Sequence, residues 1–387
     1  MLPLLSFCTA EQPWLLDTIE ALARLESPTT EKTAVDRCGA ELAARLRAIG
    51  AAVTLLPRER AGDLVRAEIT PQAPSAAPIL ILGHFDTVWP VGQLARMPCE
   101  VHDGRLSGPG VFDMKAGIAL AMLAVRALQM LVPDRRRPIV MLWTTDEEVG
   151  SASSREVLED EARQSAAVLV LEPSLPGGAV KTARKGCGHF EVAVTGVAAH
   201  AGLEPLRGAS AVAELAHQIL RINAFQDLER GVHVNVVRAN GGLQSNVIPE
   251  HAHALVDVRV PTSQAWGELA ASFAELKPID FRTSLDCRGV LNRPPLERTP
   301  AVVELFETAR AVAGDLGLTL GEGETGGGSD GNFTAALGVP TLDGLGAVGA
   351  GAHALDEHVL VDALAPRAAL IAGLLARLDA LALRRQD

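Results

Sequence analysis

Apolar residues recur along this chain in distinct rhythms, and the rhythm changes with position. Residues 11–25 and 31–49 repeat apolar side chains every three to four positions, which predicts two amphipathic helices, the second capped by Thr30. Three short, nearly continuous apolar runs follow: Ile79–Leu82, Ile139–Trp143 and Ala167–Leu171. Runs of this length rich in Ile, Val and Leu predict strands buried on both faces, as in an α/β sheet. Between the first two lies "MKAGIALAMLAVRALQMLV", residues 114–132, apolar almost all round and long enough for a buried helix. Strand, buried helix, strand is the grammar of a βαβ unit.

From about residue 180 the rhythm becomes alternation. "HFEVAVTG" sets Phe190, Val192 and Val194 against Glu191, Ala193 and Thr195, and "VHVNV" and "ALVDVRV" keep the same period of two. Such strands have one face on a core and one on something polar. Helical stretches at about 209–223 and 264–276 interrupt them. The pattern predicts an α+β domain over 180–291, inserted between an α/β segment, 1–179, and its continuation, 292–387. "NRPPLERTP", 292–300, reads as the re-entry linker, because its prolines sustain neither helix nor inner strand.

Composition fits this picture. A chain of 387 residues exceeds one ordinary core, so two domains are expected. It is 48% hydrophobic and 21% charged, a folded globular composition. The net charge of −12 argues against a nucleic-acid partner, which needs a basic surface. Cysteines 8, 38, 99, 187 and 287 form no CxxC pair, so neither a disulfide framework nor a thiolate metal site is expected, and a reducing, cytoplasmic location fits. "MLPLLSFCTAEQPW" lacks a basic leader region and a cleavage site, and reads as a mature cytosolic N-terminus. No uninterrupted apolar stretch is long enough for a membrane span, and "ALIAGLLARLDALAL" near the C-terminus reads as an amphipathic helix.

Candidate chemistry gathers where the buried strands end. The first runs into His84 and Asp86, the second into Asp146, Glu147 and Glu148, and the third into Glu172. Carboxyl ends of strands line the ligand crevice of open α/β sheets. Adjacent acids there repel unless positive charge sits among them, and a divalent cation would supply it. A solvated acidic turn is the ordinary alternative for any one triplet. Asp113, in "LSGPGVFDMKAG", precedes the buried helix, where it is either an N-cap or a carboxylate able to bridge two cations. His353, in "GAVGAGAHALDEHVLVD", is either an unliganded loop histidine or a second nitrogen ligand. If Asp113 bridges, the set His84, Asp113, Glu148, Glu172 and His353 gives each of two cations one histidine, one terminal carboxylate and the shared aspartate. Three protein ligands with an open position is a catalytic zinc arrangement, and the absence of thiolates admits cobalt or manganese. Two such ions, roughly 3.5–4 Å apart, would share a water and make it hydroxide-like near neutral pH.

The stretches "GHFDTVWP", "GPGVFDMKAG", "TTDEEVGS", "LEP", "HAGLEPLRGASA", "SNVIPE", "DVR", "TGGGSDGN" and "GAHALDEHV" together resemble the M20 metallopeptidase family, in its glutamate carboxypeptidase branch. Ala116 stands where that family often has Gly, and Phe85 where Tyr is common. The resemblance implies an α/β zinc-peptidase domain with a mixed, largely parallel sheet, plus an inserted ferredoxin-like α+β lid through which two copies dimerise. It implies that Asp113 bridges two Zn²⁺, one also held by His84 and Glu172 and the other by Glu148 and His353. It implies that Glu147 is the general base and acid toward a metal-bridging water, and that Asp86 orients His84. His200 would stabilise the oxyanion in a neighbouring active site. Asn246, Arg259 and the loop with Gly327, Gly328 and Ser329 would bind substrate, a Gly-rich run being suited to an anion. The expected substrate is a small peptide or N-acyl amino acid, cleaved next to a C-terminal residue of glutamate type. Deacylase or dipeptidase activity, and a silent metal-binding homologue, are the alternatives.

Overall fold

The computed structural model describes residues 1–381. The chain forms two compact units, Met1–Thr182 with Arg298–Glu324 and Ser329–Asp387, and Ala183–Glu297 with Thr325–Gly328.

The first unit is built on a six-stranded sheet whose strands follow in the order Ala52–Leu56, Leu64–Ile69, Ile139–Thr144, Ile79–His84, Ala167–Val170 and Thr341–Leu342. The last four are mutually parallel, and the first two are antiparallel additions at one edge. The three apolar runs are therefore adjacent and parallel, with every residue buried. Their two faces serve two cores. Ile79, Ile81, Met141, Trp143 and Leu169 pack under the Ala116–Leu131 helix and its neighbours, while Leu80, Leu82, Val140, Leu142 and Val170 pack against Leu158, Ala162 and Phe333. Burial on both faces leaves no polar alternation to read, which is why these strands are continuous apolar runs.

Several elements differ from the sequence expectation. Residues 2–10 form a helix of their own, Leu2–Ala10, with Leu4 and Cys8 buried. The first expected helix runs Gln12–Arg24, and Thr30 does not cap the second, which runs Lys32–Ala48 with Glu31 at its N-cap. The reason is that 27–29 is tied to the first strand's exit: Ser27 Oγ donates to Phe85 O (2.6 Å), and Thr29 Oγ1 to Asp86 Oδ2 (2.7 Å). Helical backbone therefore starts too late for Thr30 to reach it. The Leu64–Ile69 strand escaped the pattern because Arg66 and Glu68 interrupt it; they pair with each other, and Arg66 also pairs with Glu161. The C-terminal helix spans Val361–Ala380, and residues 382 and 383 of the expected one lie outside the described residues.

The second unit has the element order strand Gly186–Thr195, helix Ala211–Asn223, strands His233–Gly241 and His251–Val260, helix Ser263–Ala274 and strand Ser284–Arg293. The last strand reaches into the segment read as linker, around a bulge between Leu291 and Arg293. The sheet is antiparallel, with the first strand paired between the third and the last. This is the ferredoxin-like arrangement. Phe190, Val192, Val194, Val256 and Val258 face the two helices, with Phe190 stacked on Phe273. Ser210 and Thr262 cap those helices through their side chains. Among the described residues no helix is long and apolar enough to cross a membrane.

One close approach positions the strand ends. A Cβ on Gly117, at the start of the buried helix, would lie 2.2 Å from the carbonyl oxygen of Leu171. Gly117→Ala should therefore lower unfolding free energy by about 1–3 kcal/mol through overpacking. A denaturant midpoint equal to wild type would show that the helix is free to shift.

Candidate metal centre

Parallel register sets His84 beside Thr144, and Leu82 beside Val170, so the loops that follow all three strands leave one edge of the sheet. Gly83 has no room for a side chain, because a Cβ would meet Met114 Cε at 2.2 Å. Met114 can thus lie against the strand, and its sulfur accepts the N–H of His84. The 111–115 turn that leads into the buried helix is thereby drawn across the strand ends.

Asp113 has non-helical backbone in that turn (φ −116°, ψ 91°), and Lys115 occupies the N-cap without a side-chain capping bond. The N-cap alternative for Asp113 is not what the structure shows. Its carboxylate lies between two imidazoles instead: Oδ1 is 3.2 Å from His84 Nε2, and Oδ2 is 3.5 Å from His353 Nε2. His84 Nε2 is also 3.3 Å from Glu172 Oε1, and His353 Nε2 is 3.2 Å from Glu148 Oε2. Two trios result, His84–Asp113–Glu172 and Asp113–Glu148–His353, each with its ligand atoms within 4.8 Å of one another.

The remaining contacts prepare these groups for a cation. His84 Nδ1 lies 3.0 Å from the carbonyl oxygen of Asp86 and 3.4 Å from its Oδ1, so that nitrogen is a donor, and Nε2 is the atom turned toward the carboxylates of Asp113 and Glu172. Asp86 is fully buried and takes its other bonds from Thr29 Oγ1 and the N–H of Glu148. Glu148 Oε1 is buried without a hydrogen-bond partner, an orphaned acceptor of the kind a metal ion satisfies. The donor set, nitrogen and oxygen with no thiolate, fits divalent zinc, cobalt or manganese.

The electrostatics show what such a set demands. Burial disfavours a charged His84, but Asp113, Asp86 and Glu172 outweigh it and hold the imidazole well above its usual range. Asp113 and Glu148 push His353 up to about 10. Burial opposes ionisation of Asp113, yet His353 and His84 together keep it below the ordinary carboxylate range; for Glu148 burial wins and its value rises.

The other sequence candidates are not members of either trio. Glu147 opens a single 3₁₀ turn, Glu147–Val149, beside Glu148. Asp146 closes that turn by accepting from the N–H groups of Ser151 and Ser153, which is a structural task. In the second unit, exposed His200 accepts the N–H groups of Gly202 and Leu203 on Nδ1 (both 3.1 Å), so Nε2 carries its proton. The Asn246 carbonyl accepts from Ala201 N–H beside it. Arg259 forks onto Asp257 (3.1 and 3.0 Å) and touches Cys187 Sγ. Gly327 and Gly328 give their carbonyls to Arg184 Nη1 (3.1 and 3.0 Å). Ser329 is buried in the first unit with its hydroxyl committed to Asp343 Oδ2 (2.6 Å), so that hydroxyl is not presented to a ligand.

Sequence reasoning missed Arg184 and Arg293, both buried near the Gly327–Gly328 segment, and Asp330, which receives the hydroxyls of Thr144 and Ser151 on either side of the Glu147–Glu148 turn. It also missed Glu357. No local spacing marks these residues; only their burial does.

The sheet edge thus carries paired carboxylate–histidine trios of the kind a metal-dependent hydrolase uses. The chain belongs to peptidase family M20/M25/M40, whose defining pattern matches residues 80–377. It is 30% identical over 379 residues to carboxypeptidase G2 of Pseudomonas sp. (strain RS-16), covering 96% of this chain and 91% of that one. It is 29% identical over 393 residues to a succinyl-diaminopimelate desuccinylase of Thioalkalivibrio sulfidiphilus, covering 94% and 98%. In fold it matches aminopeptidase PepT of Bacillus cereus (TM-score 0.77, 21% identity, 95% and 98% covered). It also matches a dinuclear metal-binding peptidase of the M20 family from Bacillus subtilis (TM-score 0.69, 15% identity, 95% and 98% covered). The protein is accordingly a metallopeptidase or amidohydrolase of this family.

Because a metal takes a neutral imidazole, ion binding should displace protons from His84 and His353, whose proton affinity the neighbouring carboxylates raise. Calorimetry in buffers of different ionisation enthalpy should show net proton release on ion binding, with affinity falling as pH falls. Release of none would contradict this electrostatic picture.

Proposed function

We propose that this chain is a dinuclear zinc carboxypeptidase that cleaves the amide bond next to a C-terminal amino acid of glutamate type. The observation that carries the reading is the pair of trios sharing Asp113, with Glu147 next to the terminal ligand Glu148. His84, Asp113 and Glu172 would hold one ion, and Asp113, Glu148 and His353 the other. Bound there, the ions would polarise the scissile carbonyl and activate a water. Glu147 takes the proton that the attacking water loses and delivers it to the leaving amine nitrogen. Asp86 keeps His84 in the tautomer that presents Nε2.

Substrate recognition is assigned to the second unit. Arg184 and Arg293 meet the Gly327–Gly328 segment, and Arg259 touches Cys187, whose sulfur lies beside Gly328, a concentration of guanidinium suited to a carboxylate. Asn246 sits in an exposed turn beside His200, whose Nε2–H would donate to the oxyanion at the site of a neighbouring copy. Lid-mediated dimerisation is supported by the edge strand His233–Gly241, paired on one side only within its sheet, and by exposed Val212, Leu220 and Leu243. Five free cysteines accord with a cytoplasmic location.

A second reading, N-acyl-amino-acid deacylation, is favoured by the similarity to desuccinylases, since both reactions free an amino acid from an acyl group. A silent homologue is disfavoured, because binding alone has no use for Glu147.

Turnover of N-acyl-glutamate, N-acyl-alanine, N-succinyl amino acids and dipeptides by the zinc-loaded protein separates these readings. Glu147→Gln should keep about two ions per chain and lose roughly 10²–10⁴-fold in kcat. Wild-type turnover by that variant would remove Glu147 from the chemistry. Sedimentation equilibrium should give twice the chain mass, and Leu220→Asp should shift it toward the monomer; a monomeric wild type would contradict the dimer.

A further inference from the structure

The two trios are supported unequally. His84 and Glu172 continue or closely follow strands of the central sheet and are buried. His353 is half exposed, with left-handed backbone (φ 62°), in the loop 351–357 of a small hairpin between Gly349–Ala350 and His358–Leu360. Within that loop Ala354 N–H bonds to Gly351 O and Glu357 N–H to Ala354 O, giving two successive tight turns.

The far end of the loop carries Glu357, whose side chain is fully buried. Oε1 accepts the N–H groups of Phe112 (2.9 Å) and Asp113 (3.0 Å), and Oε2 accepts Gly110 N–H (3.0 Å) and Trp89 Nε1–H (2.8 Å). Among the described residues it has no cationic partner. A carboxylate held this way by N–H donors alone fixes the groups around it, since losing any one leaves a buried polar atom unpaired. Three of the four donors belong to the turn that ends in Asp113, and the acceptor belongs to the loop that holds His353.

We infer that Glu357 is a positioning residue for the second cation trio, setting the Asp113 turn and the His353 loop in register through one buried carboxylate. Trp89, in "GHFDTVWP", is part of the same device: its indole completes the donor set. This inference rests on the two-ion reading and concerns residues outside both ligand sets. The His84 trio depends on Glu357 only through Asp113, since its other two members are held at strand ends. The His353 trio depends on it at two of its three members.

Zinc titration by calorimetry, with near-ultraviolet circular dichroism as the check of folding, tests this without turnover. Glu357→Gln keeps the volume but sets an NH₂ against two N–H donors. It should keep one ion at wild-type affinity and bind the second about 10–100-fold more weakly. Trp89→Phe should weaken the second ion in the same direction by less. In a His353→Ala background, Glu357→Gln should add little, because both act on one trio. A folded Glu357→Gln that binds both ions as wild type does, or weakens both equally, would overturn the inference. Should Glu357→Gln fail to fold, an unchanged second step in Trp89→Phe would overturn it as well. Fewer than two ions on the wild type would remove the two-ion reading itself, and this inference with it.

Discussion

Three carboxylates and two imidazoles crowd the carboxyl ends of one buried sheet, and Asp113 belongs to both halves of the crowd. Such a density of acid persists in a folded chain only when positive charge sits among it. The imidazoles answer that demand by holding protons far more tightly than usual. A pair of divalent cations answers it with chemistry to offer. Much of the surrounding structure is explained by the need to keep this set assembled.

The central sheet supplies the rigid side. Its parallel strands end together, so His84 and Glu172 need only short extensions to meet. Gly83 and Gly117 remove side chains where Met114 and Leu171 must pass, which brings the Asp113 turn and the buried helix onto the strand ends. The flexible side comes from loops, and buried acids tie those loops down. Asp330 receives Thr144 and Ser151 around the Glu147–Glu148 turn, and Glu357 joins the Asp113 turn to the His353 loop. Carboxylates thus have two roles here, as candidate metal ligands at the strand ends and as anchors beneath them.

The sequence made the first role legible and hid the second. His84 and Glu172 stand within two residues of an apolar run and Glu148 five residues after one, so strand periodicity placed all three toward one edge. Asp113 and His353 were ambiguous, because an aspartate before a helix and a histidine in a small-residue loop have ordinary explanations. Family resemblance, not periodicity, favoured the ligand role. Glu357 and Asp330 lie inside two stretches that carry the resemblance, "GAHALDEHV" and "TGGGSDGN", but their anchoring contacts became legible only once tertiary packing buried them. Thr30 failed as a cap for a related reason, since Ser27 and Thr29 are tied to the strand exit that carries Asp86. In the second unit, alternation exposed the sandwiching of strands and helices. The arginines around Gly327 and Gly328 came from positions too far apart in sequence to suggest a cluster.

The central claim is that one aspartate serves two cations. Crystals of the zinc-loaded protein, measured on either side of the zinc absorption edge, test it most directly. The account predicts two anomalous peaks, one against His84 and Glu172 and one against Glu148 and His353, each also touching a different oxygen of Asp113. A single peak, or two peaks of which only one contacts Asp113, would contradict it.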